Sequence, residues 1–142
     1  MLTFNGCYVN INNVMSALDG ATEFTIEAWI NVDPSQSANS HIVSINRSNG
    51  DNEILFYIDD GKLVTHDGAT DTYGSPDLRQ VGFQGWHHVV LTHDNSDHRV
   101  YLDGVLLGTK SGAVSALSSS HLCSIGQEYD NGSGSSTPTG DF

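Results

Sequence analysis

The sequence predicts an all-β protein folded as a sandwich of two antiparallel sheets. Residues 24–32 alternate between apolar and polar side chains, which is typical of a strand with one buried face. Roughly nine β-prone segments are expected at short, regular intervals, with turn-forming residues between them. No long helical pattern interrupts them. We expect a single domain across residues 1–142, because this length is enough to bury a core.

The individual elements follow from local composition. Residues 1–6 are expected to form a strand, and 14–18 a short helical turn capped by an asparagine. Asp60-Gly61 and Asp103-Gly104 are predicted hairpin turns. The Gly/Ser-rich stretch 131–140 is expected to be a flexible loop. Further strands are predicted at residues 41–46, 54–59, 62–66, 86–93, 99–102, 105–108 and 121–126.

The charge of the chain excludes several classes of partner. Seventeen acidic and five basic residues give a net charge of −12, which argues against nucleic acid and anionic membranes. Cation binding fits this charge. The sequence has no apolar run long enough for membrane insertion, and its start has neither the basic nor the apolar region of a signal peptide. Cys7 and Cys123 lack metal or redox spacing and are expected to be buried free thiols, although the sequence also permits a pair.

Side-chain oxygens are concentrated after the last predicted strand, at Gln127, Glu128, Asp130 and Asn131. Calcium takes about 6–8 oxygen ligands, so one such stretch cannot complete a site. A second oxygen-rich loop is therefore required. Asp51-Asn52-Glu53 is the best candidate, and we expect the two loops to converge on Ca²⁺.

Five motifs, taken in order, resemble the laminin-G-like, concanavalin A-like jelly roll and, within it, the pentraxins. They are Phe24–Ile30, Asp51–Phe56, Gly85–Val90, Tyr101–Gly104 and Ile125–Asp130. The resemblance runs from about residue 2 to the end of the sequence. It implies a two-sheet antiparallel jelly roll rather than another type of sandwich.

The resemblance also implies a metal site. By position, Asp51, Asn52, Glu128 and Asp130 would bind calcium through their side chains, and Tyr129 through its backbone carbonyl. In pentraxins the bound ion holds a phosphate or sugar oxygen of the ligand.

Four further residues are implied in ligand binding. Tyr57 and Thr65 fall on the apolar contacts of a small pocket beside the metal. Asp71 lies next to the position of the family's acidic residue for a choline headgroup, and Gln127 belongs to the metal-binding loop.

The sequence departs from the family pattern at three points. Residues 132–136 lack the later ligands of a second calcium, so one ion is expected rather than two. Glu27 and Val90 stand where the family has its disulfide cysteines. The family's final strand, which would follow Phe142, is missing. We therefore expect an open sheet edge that another protein chain covers in an oligomer or assembly.

Two catalytic or metal alternatives are disfavoured. His87 and His88 are adjacent on a predicted strand, so they point to opposite faces and cannot easily share zinc. The glucanases that share this sandwich need two suitably spaced carboxylates, and no strand carries acids at i, i+2 or i, i+4 within an apolar run. We therefore expect no enzyme.

The aromatic residues divide by expected position. Trp29 lies on the polar face of its strand, whereas Trp86 is expected in the core. Tyr57, Tyr73 and Tyr129 are expected to make surface contacts near loops, because tyrosine has an apolar face and a polar tip.

The leading functional hypothesis is a calcium-dependent recognition module for a carbohydrate or phosphoester ligand. The alternative is a structural or adhesive sandwich of a virion or surface assembly, such as a decoration or fibre domain, without a small-ligand site. Either hypothesis predicts an extracellular or virion-surface location.

Overall fold

The computed structural model describes residues 7–37, 39–49, 51–67, 70–112 and 115–129, without the side chains of Asn52, Thr70, Asp71 and Thr72. These residues form ten strands and one short 3-10 helix. The strands are β1 Val9–Asn10, β2 Glu23–Asn31, β3 Ser40–Asn46, β4 Asn52–Asp59, β5 Lys62–His66, β6 Thr70–Thr72, β7 Trp86–Asp94, β8 Asp97–Leu102, β9 Val105–Ser111 and β10 Leu122–Gly126.

The strands form two antiparallel sheets, as expected for a jelly-roll sandwich. One sheet has six strands in the order β1-β10-β3-β4-β5-β6, and the other has four in the order β2-β7-β8-β9. Among the described strands, the first and the last pair with each other, with Val9 opposite Ile125. The two ends of the described chain therefore lie side by side in the larger sheet.

The core lies between the sheets and is built by the alternation seen in the sequence. In β4, Ile54, Phe56 and Ile58 enter the main core, whereas Leu55 and Tyr57 belong to a small separate cluster with Val64. In β2, the even-numbered residues pack against the core and the odd-numbered residues are exposed. β2 thus buries one face, as its period of two predicts, whereas β4 is buried on both faces.

Two predicted hairpin turns are confirmed. Asp60 and Gly61 have φ of 46° and 76°, and Asp103 and Gly104 have φ of 49° and 80°. Positive φ at both central residues matches the twist of the flanking strands, and Asp-Gly accommodates it well. These turns join β4 to β5 and β8 to β9.

Other expectations need correction or lie outside the described residues. The helical turn is a 3-10 helix at Asn12–Ala17, and its N-cap residue is Ile11, which makes no side-chain capping hydrogen bond, rather than an asparagine. Cys123 is buried as expected, but Cys7 is exposed, and both are free thiols. Residues 1–6 and 131–140 fall outside the description. In the described part of the chain, no helix has the length and apolar character needed to cross a bilayer.

Candidate functional site

The segment after β10 folds back across the outer face of the six-stranded sheet. Gly126, at φ 97°, lies at a register shift between β10 and β3 and changes the direction of the chain. The Gln127 carbonyl then accepts a hydrogen bond from the Ser44 hydroxyl at 2.9 Å and contacts the Ser124 hydroxyl as well. Two buried serines on neighbouring strands therefore fix the start of the acidic loop.

Tyr129 fixes the other end of this segment. Its side chain is 1% exposed, and its hydroxyl oxygen accepts a hydrogen bond from Asn10 Nδ2 at 3.0 Å. The hydroxyl also donates to Asn12 Oδ1 at 3.5 Å, and burial raises the pKa of the phenol. Tyr129 was expected near the surface. Its burial depends on asparagines more than a hundred residues away, which local sequence does not reveal.

The two oxygen-rich loops approach each other at Asn46. The Tyr129 backbone N–H donates to Asn46 Oδ1 at 3.5 Å, and Asn46 is the register partner of Asn52 at the start of β4. The turn before β4 is closed by a hydrogen bond from the Arg47 N–H to the Asp51 carbonyl at 2.8 Å. The backbone beside Asp130 therefore enters the neighbourhood of the loop that carries Asp51 and Asn52.

The carboxylates of the described residues in the two loops do not point towards a common centre. Glu128 Oε2 lies 3.5 Å from Nε2 of the buried His41, near the start of β3 and away from Asn46. The Asp51 carboxylate is exposed and accepts a hydrogen bond from Asn49 Nδ2 at 2.7 Å. Within the described residues, no three His, Cys, Asp or Glu side chains form a group suited to a metal ion. Asp130 and the Asn52 side chain lie outside the description.

The chemistry of the available donors nevertheless suits a hard cation. Carboxylate, amide and carbonyl oxygens are the ligands that calcium prefers, and this loop pair is rich in all three. Glu53, which follows Asn52, is less suited to bind a metal ion, because its carboxylate already has a cationic partner. It is 5% exposed and forms an ion pair with Arg47, with 2.6 Å between Nε and Oε2.

The expected ligand pocket is divided between two faces of the sheet. Tyr57 lies on the outer face, where its ring stacks on His41 with 5.2 Å between centroids. Thr65 is paired with the core residue Phe56, is 2% exposed and donates to the Tyr73 hydroxyl at 2.9 Å. Tyr57 and Thr65 therefore do not line one pocket. The backbone of Asp71 pairs with Thr65, and the Gln127 side chain is 8% exposed.

Trp29 and Trp86 lie on the other sheet, and the sequence patterns did not predict that they would be neighbours. Trp86 was expected in the core but is 50% exposed, and Trp29 is 66% exposed as its position on the polar face of β2 predicts. The His88 ring lies against Trp29 with 5.2 Å between centroids and 30° between planes, and His88 Nε2 is 3.4 Å from Glu27 Oε2. The sequence did contain a signal for the exposure of Trp86. Trp86 and the core residue Val89 differ by an odd number of positions, so their side chains point to opposite faces of the strand.

The sheet order, the register and the folded-back loop together define a jelly-roll sandwich of the lectin type. A profile of the concanavalin A-like lectin/glucanases superfamily, of laminin G type, matches residues 5–141. The chain belongs to this family, as the sequence motifs predicted. No curated protein matches the chain in sequence.

Solved structures support the same fold. The CBM40 of the Ruminococcus gnavus IT-sialidase, solved bound to α2,3-sialyllactose, has a TM-score of 0.66 and 14% identity, covering 99% of this chain and 84% of that chain. Domains LG4-5 of the mouse laminin α1 chain have a TM-score of 0.62 and 17% identity, covering 97% of this chain. The heptameric SAP-like pentraxin of Limulus polyphemus has a TM-score of 0.53 and 23% identity over 75% of this chain. The chain spans 37% of the laminin chain and 52% of the pentraxin chain.

Proposed function

We propose that this chain is a calcium-dependent recognition module that binds a carbohydrate or phosphoester through an oxygen of the ligand. Asp51, Asn52, Glu128 and Asp130 would hold the ion with their side chains, and Tyr129 with its carbonyl. The ion would keep one position open for the ligand oxygen. The module would work outside the cell or on a virion surface, and it would bind without catalysis.

The meeting of the two loops at Asn46 is the observation that carries this proposal. Asn46 is paired in register with Asn52 and accepts a hydrogen bond from the backbone of Tyr129, which lies 83 positions away in sequence. The Gln127 carbonyl and the Tyr129 side chain anchor the acidic loop on both sides of Glu128. An anchored loop loses little conformational entropy when it binds an ion.

A carbohydrate is supported as the ligand by one structural relative. The CBM40 structure, which covers nearly the whole of this chain, was solved with bound α2,3-sialyllactose. Sialyllactose carries a carboxylate and several hydroxyls, and such oxygens suit an open calcium position.

Thermal unfolding in millimolar calcium and in chelator tests the metal. Calcium should raise the melting temperature by several degrees, because a ligand that binds only the folded state stabilises it by mass action. The double variant Glu128→Gln with Asp130→Asn should lose this shift. Asp60→Asn is the control, since Asp60 lies in the β4–β5 turn and its side chain is 75% exposed. Equal melting temperatures in calcium and chelator would contradict the proposal.

Glycan and phosphocholine arrays, each in calcium and in chelator, distinguish the ligands. Retention on sialylated glycans in calcium alone would identify a lectin, and retention on phosphocholine alone would identify a phosphoester-binding module. Binding that persists in chelator or in the double variant would reject the role of calcium.

A structural or adhesive role is the second candidate, and one observation favours it. β2 has nine residues and, among the described strands, pairs only with β7, so it lies at a sheet edge. Long edge strands invite pairing with another chain. Analytical ultracentrifugation combined with hydrogen exchange tests this role. An oligomer that protects the β2 amides would support it, and a monomer with rapidly exchanging β2 amides would count against it.

A further inference from the structure

The outer face of the four-stranded sheet carries an aromatic surface at one end. Trp29 is opposite His88 in the β2–β7 register, and Trp86 is opposite Asn31, one row further along the same face. Diagonal neighbours on one face of a sheet lie about 7–8 Å apart or less at Cβ, which is within reach of two indoles. Trp29 and Trp86 therefore form one continuous surface, which we call the tryptophan platform.

The platform is continued across the sheet by apolar side chains of the adjacent row. Val90 in β7, Tyr101 in β8 and Leu106 in β9 are register partners and share the face of Trp29. Tyr101 is half-buried, and Leu106 is 48% exposed. With about 4.8 Å between neighbouring strands, these three residues span roughly 10 Å perpendicular to the strands, which is the scale of about two sugar rings.

The Trp29 indole is supported on one side by a neighbouring ring. The His88 ring packs against the indole, and His88 in turn lies 3.4 Å from the Glu27 carboxylate. The backbone N–H of His88 donates to Asp103 Oδ1 at 2.9 Å, which ties this strand to the β8–β9 turn. An aromatic ring held in place by neighbours binds with less loss of conformational entropy than a free one.

We infer that the tryptophan platform is a binding site for a neutral oligosaccharide. The negative face of an indole attracts the C–H groups on the apolar face of a sugar ring. Glu27, Asn31 and His88 surround the indoles and supply acceptors and donors for sugar hydroxyls. This site is independent of the calcium loop, because the two lie on different sheets.

The charge around the platform selects a neutral ligand over the other occupants. Glu27 contacts His88 beside Trp29, and Asp103 pairs with His87, the residue after Trp86. Asp94 and Asp97 lie further along the same sheet around its one arginine, Arg99. An anionic glycan would be repelled by this acidic surface. A second copy of the chain would bring the same acidic residues and a net charge of −12 against it. A neutral sugar ring presents neither problem.

The composition of the chain makes a direct test available. Trp29 and Trp86 are its two tryptophans, so intrinsic tryptophan fluorescence reports on the platform. Cellohexaose, mannohexaose and maltohexaose should be titrated separately at up to millimolar concentration, in chelator, with the emission maximum as the readout. We expect at least one of them to shift the emission to shorter wavelength, because the sugar removes water from the indoles.

Variants then separate stacking from other effects. Trp29→Ala should weaken binding at least tenfold, and Trp29→Phe should restore part of the affinity, since a smaller ring remains. Val105→Ala is the matched control, because Val105 is 64% exposed and apolar but its register partner Leu102 places it off the platform face. The melting temperature of each variant confirms that the sandwich is intact.

Three results would overturn the inference. They are an unchanged emission with all three oligosaccharides, an affinity unaffected by Trp29→Ala, and a sugar-free emission shift that rises with protein concentration. The last result would mean that a second copy covers the platform. Because the titration is done in chelator, failure here leaves the calcium site standing, and failure of the calcium melt leaves the platform standing.

Discussion

At the scale of single residues, Tyr129 determines where the acidic loop lies. Its hydroxyl contacts Asn10 and Asn12 near the start of the described chain. Tyr129→Phe should lower the free energy of unfolding by about 1 kcal/mol, because a buried hydrogen bond is lost while the ring still fills its site. Urea unfolding measures this change. Tyr101→Phe is the control, since Tyr101 is half-buried and should show a smaller effect.

His87 and Asp103 form a pair that depends on pH. Burial lowers the pKa of His87, but the hydrogen bonds to Asp103 and the Phe83 carbonyl outweigh it and raise the pKa overall. The hydrogen bond from His87 lowers the pKa of Asp103. The raised histidine pKa stabilises the fold below about pH 6.5, and the lowered aspartate pKa stabilises it above about pH 4.

The contribution of this pair is therefore largest between those two pH values. We expect Asp103→Asn to lower the melting temperature most at about pH 5.5 and least at about pH 8. Asparagine suits the positive φ of this turn, so the backbone should stay unchanged. Melting curves across this range provide the measurement. A loss that is the same at both pH values would show that the ion pair is not the cause.

Individual aromatic residues show what the sequence could and could not predict. The exposure of Trp86 was predictable from its odd separation from Val89 along β7, but its large apolar volume favoured the core. The burial of Tyr129 and Tyr73 was not predictable locally, because their partners Asn10 and Thr65 come from other strands. Side chains with a polar tip are buried wherever a distant partner satisfies that tip.

At the scale of elements, the two Asp-Gly turns provide a matched comparison. Gly61 and Gly104 have similar positive φ, so alanine is strained at both. A Cβ on Gly61 would lie 2.0 Å from Asp77 Oδ1 and 2.5 Å from Arg79 Nε, whereas a Cβ on Gly104 would meet nothing within 4 Å.

Gly61→Ala should therefore destabilise the protein more than Gly104→Ala. We expect the difference to be about 1–3 kcal/mol, the usual cost of forcing extra atoms into an occupied site. Chemical denaturation of both variants measures it directly. Equal losses would show that Asp77 and Arg79 move aside without penalty.

Element positions were predicted well where periodicity and turn chemistry agreed. β5 begins and ends where the sequence predicted, and β4 begins two residues earlier than expected. The 3-10 helix was harder, because a six-residue segment has too few turns to show a helical period. Asn12 bonds to the sheet instead, since its Oδ1 accepts the Cys123 N–H at 2.6 Å.

At the scale of the whole molecule, Asp67 ties the two sheets together. Its carboxylate lies 2.7 Å from Lys110 Nζ and 2.8 Å from His98 Nε2, and both partners belong to the four-stranded sheet. Asp67 follows β5 of the six-stranded sheet, and its side chain is 7% exposed. The sandwich is therefore held at this end by a buried ionic contact.

Asp67→Asn should reduce the free energy of unfolding by about 3 kcal/mol, because it leaves the largely buried ammonium of Lys110 without its carboxylate. Asp60→Asn is the control and should have a much smaller effect, since the Asp60 side chain that pairs with Arg79 is 75% exposed. Denaturant unfolding of both variants gives the comparison. A loss no larger than that of the control would mean that apolar packing alone holds the sheets together.

The overall architecture was the most predictable level, and the candidate site the least. The period-two pattern of β2 determines which of its faces is buried, and the regular spacing of short strands and turns suffices for a sandwich. The division of Tyr57 and Thr65 between two faces depends on the β4–β5 register, which periodicity alone leaves open. Carboxylate directions, such as that of Glu128 towards His41, depend on still finer packing.

The pairing of β1 with β10 has a consequence for the order of folding. The contacts that hold the acidic loop join residues separated by 111 to 119 positions. Such distant contacts form late, since their closure entropy is repaid only after much of the chain is ordered. During synthesis, the hydrogen bonds of Asn10 and Asn12 to Tyr129 can form only after Tyr129 has left the ribosome. The loop is therefore completed only when the rest of the sandwich is already available to support it.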